Sequence, residues 1–117
     1  MEDRELLELA AKSDGMKLGQ YADGWHWVNG GPKGAGIYKI NPNQSPIGNP
    51  RFRFLYWNPL TDDGDALRLA VRAGLHKSLP SILRGEAYRS DYLALGDYAA
   101  TRRAIVRAAA EIGKGMP

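Results

Sequence analysis

Six alanines stand between Asp97 and Gly113, interleaved with Ile105, Val106 and Ile112. Alanine loses no side-chain entropy in a helix, so this stretch predicts a long helix over 98–112. Asp97 is placed to cap it, and Gly113 and Pro117 to close it. Ile105, Val106, Ala109 and Ile112 make its core stripe, and the small alanines let it lie close to its support. Arg103, Arg107 and Glu111 recur at i, i+4 on the outer side.

Two further helices are legible. Residues 4–13 carry Asp3 where an N-cap belongs and Gly15 where a helix ends. Leu6, Leu7 and Ala10 form a stripe with Leu9 beside it, and acidic side chains cover the opposite face. The next helix follows Asn58-Pro59, with Thr61 or Asp62 as cap and Asp63 and Asp65 at its positive end. Ala66, Leu67, Leu69, Ala70, Val71 and Ala73 are its expected buried side. Arg68 and Arg72 lie four apart on the outside.

Strands are expected elsewhere. Trp25-His26-Trp27-Val28 and Gly36-Ile37-Tyr38-Lys39-Ile40 flank a turn over 29–34. Three prolines make residues 41–50 a mobile loop. Residues 51–57 alternate with period two, placing Phe52, Phe54 and Tyr56 on one face and Arg51, Arg53, Leu55 and Trp57 on the other. The aromatic face is the expected core side. Residues 79–95 read as two short strands around a turn at Arg84-Gly85, with Pro80 marking an edge. The order α-β-β-β-α-β-β-α predicts an α+β fold: a mostly antiparallel sheet of four to five strands with three helices packed on it. At 117 residues the chain is expected to be a single domain.

The sequence contains no cysteine, which excludes disulfides and thiolate metal sites and fits a reducing cytoplasm. Its apolar runs are far too short for a membrane span, and its first residues are acidic where a secretory signal is basic. The net charge of +3 is unevenly placed. Glu2, Asp3, Glu5, Glu8 and Asp14 crowd the first segment, whereas Lys33, Lys39, Arg51 and Arg53 face no acid between Gly24 and Thr61. A basic body of this kind attracts anionic partners, nucleic acid among them.

Catalytic patterns are missing. His26 and His76 have no ligand-like spacing, and each is expected to be structural. Asp62, Asp63 and Asp65 run into a helix, as cap residues do, without the alternating ligands of a calcium loop. Residues 30–36 hold glycines and Lys33 but lack the Lys-Ser or Lys-Thr of a phosphate loop. No serine lies in a nucleophile elbow. The expectation is a protein without enzymatic activity, metal or cofactor.

Two stretches carry a resemblance. They are Trp57-Asn58-Pro59-Leu60-Thr61-Asp62-Asp63-Gly64-Asp65-Ala66-Leu67 and Tyr98-Ala99-Ala100-Thr101-Arg102-Arg103-Ala104-Ile105-Val106-Arg107-Ala108-Ala109. Together they resemble the phage ABA-sandwich domain family of small phage and prophage proteins. The resemblance implies a layered α/β accessory protein and brings no catalytic residues with it. Phage genes of this size often encode inhibitors of host defence, so the expected role is an anti-CRISPR-like inhibitor that binds a host protein complex. The alternative is a nucleic-acid-binding accessory protein using its basic face. The expected contact residues are Arg68, Arg72, Arg103 and Arg107 on the helices, with Arg51, Arg53, Trp25 and Trp27 from the strands.

Overall fold

A computed structural model describes residues 2–41 and 54–117. They fall into two compact units, Met1–Gly15 with Asn58–Pro117, and Met16–Trp57. The first is helical and the second holds the sheet.

The helical unit contains α1 (Asp3–Ser13), α2 (Asp63–Arg72), α3 (Leu79–Ile82), α4 (Glu86–Leu95) and α5 (Asp97–Lys114), with a 3-10 turn at Leu75–Ser78. Helix α5 is its spine, and α1, α2 and α4 all pack on it. Its buried residues are Ala100, Ala104, Ile105, Val106, Ala109, Ala110 and Gly113, so the alanines do form the contact surface. Ile112, expected in the stripe, is instead exposed. Helix α1 answers with Leu6, Leu7, Ala10 and Ala11. Gly113 meets the α1 backbone so closely that a Cβ there would overlap the Leu9 carbonyl. Helix α2 contributes Ala66, Leu69 and Ala70, whereas Leu67 and Val71 face out. Each large apolar side chain buried here stabilises by about 1.5–3 kcal/mol.

The aspartates before α2 build its entry. Asp62 Oδ2 accepts the Asp65 N–H at 2.8 Å, making Asp62 the N-cap. The buried Asp65 carboxylate accepts the Asn58 N–H at 2.9 Å and an Arg68 guanidinium N–H at 2.7 Å. Arg102 of α5 donates to the Leu60 carbonyl at 2.8 Å and to Asp63 at 2.6 Å. The Asn-Pro-Leu-Thr-Asp-Asp-Gly-Asp stretch is thereby a structural lock between α2 and α5.

The sheet unit has β1 (His26–Gly31), β2 (Gly34–Ile40) and β3 (Phe54–Trp57), antiparallel in the order β1-β2-β3. Pairing runs closer to the turn than expected, with Gly31 opposite Gly34 and only Pro32-Lys33 between them. The Tyr38 hydroxyl ties this turn, accepting the Lys33 N–H at 2.9 Å and donating to the Gly34 carbonyl at 2.7 Å. The Tyr38 ring occupies the space a Gly31 side chain would need, and the Tyr56 ring does the same at Gly36. Across the sheet, Tyr38 faces Tyr56 and Ile37 faces Trp57.

Three expectations are corrected. Among the described residues there are five α-helices and a three-stranded sheet, so the α+β fold does not have four to five strands with three helices. Residues 79–82 and 86–95 are helical, not strands. Pro80 sits in the first turn of α3, where its missing N–H has no helical partner to lose, and Gly85 at φ +92° separates α3 from α4. The aromatic face of β3 is only partly core: Phe54 is 38% exposed, while Trp57 on the other parity is 7% exposed. Residues 42–50 of the expected loop and 51–53 of the expected strand lie outside the described residues.

Candidate functional site

The four helical arginines chosen from sequence are all engaged within the chain. Arg68 pairs with Asp65 at 2.7 Å, and Arg72 with Asp14 at 3.0 Å. Arg103 pairs with Asp3 at 2.7 Å, and Arg107 with Asp91. The hydrogen bond that Arg68 donates to Asp65 and the attraction of that carboxylate's charge hold the Arg68 guanidinium above the ordinary arginine range. Arg68 and Arg72 remain exposed at their tips, but Arg103 and Arg107 are half-buried beside α4. Their i, i+4 spacing is real, and both line a groove shared with residues of α3 and α4, elements the sequence had suggested were strands. Trp25 and Trp27 are half-buried in the sheet unit, and Trp27 Nε1 donates to Asn29 Oδ1 at 2.9 Å. Arg51 and Arg53 lie outside the described residues.

His26 Nε2 donates to the Tyr21 carbonyl at 2.6 Å, and His76 is in the 3-10 turn. Among the described residues no group of three histidines or carboxylates is arranged to hold a metal ion. None of the described helices is long and apolar enough to cross a membrane.

Two surfaces escaped the sequence reading. The first belongs to α4, which buries no residue at all. Tyr88, Tyr92 and Leu95 recur at i, i+4 and i+7, and the Tyr88 and Tyr92 rings lie 6.3 Å apart. Leu93 is 76% exposed, and Tyr92, Leu95 and Tyr98 are exposed beside it in sequence. Where α4 meets α5 a groove of about 590 Å³ opens, lined by Leu6, Ile82, Arg84, Tyr88, Arg103 and Arg107 among others. Arg84 is the groove arginine with no ion pair among the described residues. The tyrosine spacing was visible in sequence but fits a strand pair as readily when no core stripe accompanies it.

The second is on the sheet. A hollow of about 620 Å³ is lined by Pro32, Lys33, Tyr38, Asn41 and the β3 residues Phe54, Leu55 and Tyr56. The Lys33 ammonium stands 5.5 Å from the Tyr56 ring centre. A smaller hollow of about 220 Å³ shares Tyr38 and Phe54 and adds Lys39, Ile40 and His26.

No family model matches the chain, and neither curated proteins nor solved structures give a significant match.

Proposed function

We propose that this chain is a non-enzymatic phage accessory protein that binds a host protein complex and inhibits it by occlusion, as an anti-CRISPR-like protein would. The observation that carries the binding reading is α4: a helix of ten residues with none in the core, presenting tyrosines and leucines to solvent. Exposed apolar clusters beside polar rims mark protein-interaction sites. Tyrosine and arginine dominate the energetics of such sites, and Arg84 and Tyr88 stand in the adjoining groove. The phage context rests on the sequence resemblance. A basic helical face for nucleic acid is not part of this reading, because Arg68, Arg72, Arg103 and Arg107 each already hold a carboxylate.

The test is phage plating on a host with an active nuclease-based defence, with and without this protein expressed. Protection of the phage by the wild type, lost in a Leu93→Glu, Tyr92→Glu variant that melts normally, supports the reading. Protection undiminished in that variant removes α4 from the interface. No protection against any defence tested removes the inhibitor role.

A further inference from the structure

Helix α4 has one side that its own chain engages and one that it does not. Asp91 holds Arg107 of α5, so the side of α4 that carries Asp91 is turned to α5. Glu86, Arg89 and Leu93 recur at i, i+3 and i+7, a single stripe on the opposite side. All three are exposed, Leu93 at 76%. Among the described residues neither Glu86 nor Arg89 forms an ion pair, with the other or elsewhere. Every arginine of α2 and α5 has found a carboxylate, so the unmatched acid and base on α4 stand apart.

The stripe complements itself. A copy of α4 turned end to end carries its acid where the first carries its base. A two-fold axis crossing α4 between Glu86 and Arg89 therefore sets each Glu86 against the partner's Arg89, two ion pairs from one symmetry operation. The helices then lie antiparallel. Leu93 passes the first turn of the other α4 and reaches the corner between α3 and α4, where Ile82 and Leu83 are half-buried. Tyr92, 47% exposed, flanks the stripe and widens its apolar surface.

We propose that α4 pairs with α4 of a second copy of this chain in an antiparallel two-fold dimer. Leu93 and Tyr92 supply the affinity, and the charges select register and partner. An unrelated protein would match an acid and a base three residues apart only by coincidence, whereas a second copy matches them by symmetry. One helix of ten residues from each copy makes a small interface, so association is expected to be reversible and concentration-dependent. Such a dimer does not depend on the inhibitor role, and being reversible it still releases α4 to a host complex.

Sedimentation equilibrium of the purified full chain over a range of concentrations tests this. The mean mass should climb from that of one chain toward that of two. Glu86→Arg or Arg89→Glu alone sets like charges together twice across the axis and should weaken dimerisation at least about tenfold. Glu86→Arg combined with Arg89→Glu exchanges the charges and should restore association to within about threefold of the wild type. The combined variant shares any effect of either change on α4 itself, so recovery isolates the contact between copies. Leu93→Glu should leave a monomer, and all variants should melt close to the wild type because the positions are exposed. A wild type that stays monomeric at every concentration overturns the proposal and leaves α4 to a protein of different sequence. So does a dimer indifferent to both single reversals, or one that the combined reversal fails to restore. Only purified protein enters this assay, so its outcome is separate from that of the plating test.

Discussion

Gly113 of α5 lies against the Leu9 carbonyl of α1, with no space for a side chain between them. The contact is backbone to backbone, so neither partner can rotate away. It lets Leu6, Leu7, Ala10 and Ala11 reach the alanine surface of α5. Gly113→Ala should therefore destabilise by about 3 kcal/mol, the upper end of overpacking, despite improving helix propensity. Gly115, with its nearest neighbour for a Cβ at 3.6 Å, is the control. Gly115→Ala should be neutral within about 0.5 kcal/mol, and urea denaturation of both variants checks the pair.

Asp14 closes α1 with a carboxylate that is 2% exposed, held by Arg72 through Oδ2 while Oδ1 has no hydrogen-bond partner among the described residues. Removing the arginine leaves a buried charge without its partner. Arg72→Ala is expected to cost about 1–3 kcal/mol. Asp14→Asn, which removes the charge and keeps the shape, should cost less. In a double-mutant cycle the two losses should not add, because they report one interaction. Additive losses would show that the pair is not coupled.

Asp62 is expected to matter as a cap and not as a ligand. Asp62→Ala should cost about 0.5–2 kcal/mol, whereas Asp62→Ser or Asp62→Asn should recover most of it. Neither chelator nor added calcium should move the melting temperature of the wild type. A rise with calcium that Asp62→Asn abolishes would make the aspartates metal ligands.

Tyr38→Phe removes one hydroxyl that serves two backbone groups of the β1–β2 turn. The expected loss is about 1–2 kcal/mol, with faster hydrogen exchange at the Lys33 amide before any change in the helical unit. Unchanged exchange at Lys33 would mean that the turn holds without the tyrosine.

Phe54→Ala should cost clearly less than Leu69→Ala. Leu69 is fully buried, and its truncation falls in the range of about 2–5 kcal/mol, whereas Phe54 is more than a third exposed. Thermal melts of the two variants decide this, and a Phe54 loss equal to that of Leu69 would make the aromatic face core after all.

Local chemistry was enough to place α1, α2 and α5 within a few residues. Alanine content, Asp62 before Asp63 and Asp65, and Gly15 after Ser13 act over one or two turns, which is the range a sequence displays directly. The hairpin of β1 and β2 was legible for the same reason. Tertiary structure alone decided residues 79–95: without a buried stripe their tyrosines and leucines suit either period, and α3 and α4 are defined by packing on α5. It also decided what the arginines do. Asp3 is 100 residues from Arg103 and Asp14 is 58 from Arg72, so their carboxylates meet these guanidinium groups only once the helices have packed. An arginine on a helix face carries the same letter whether it faces solvent or a carboxylate of its own chain. Folding distinguishes the two, because ion pairs act through space while a sequence records only neighbours along the backbone.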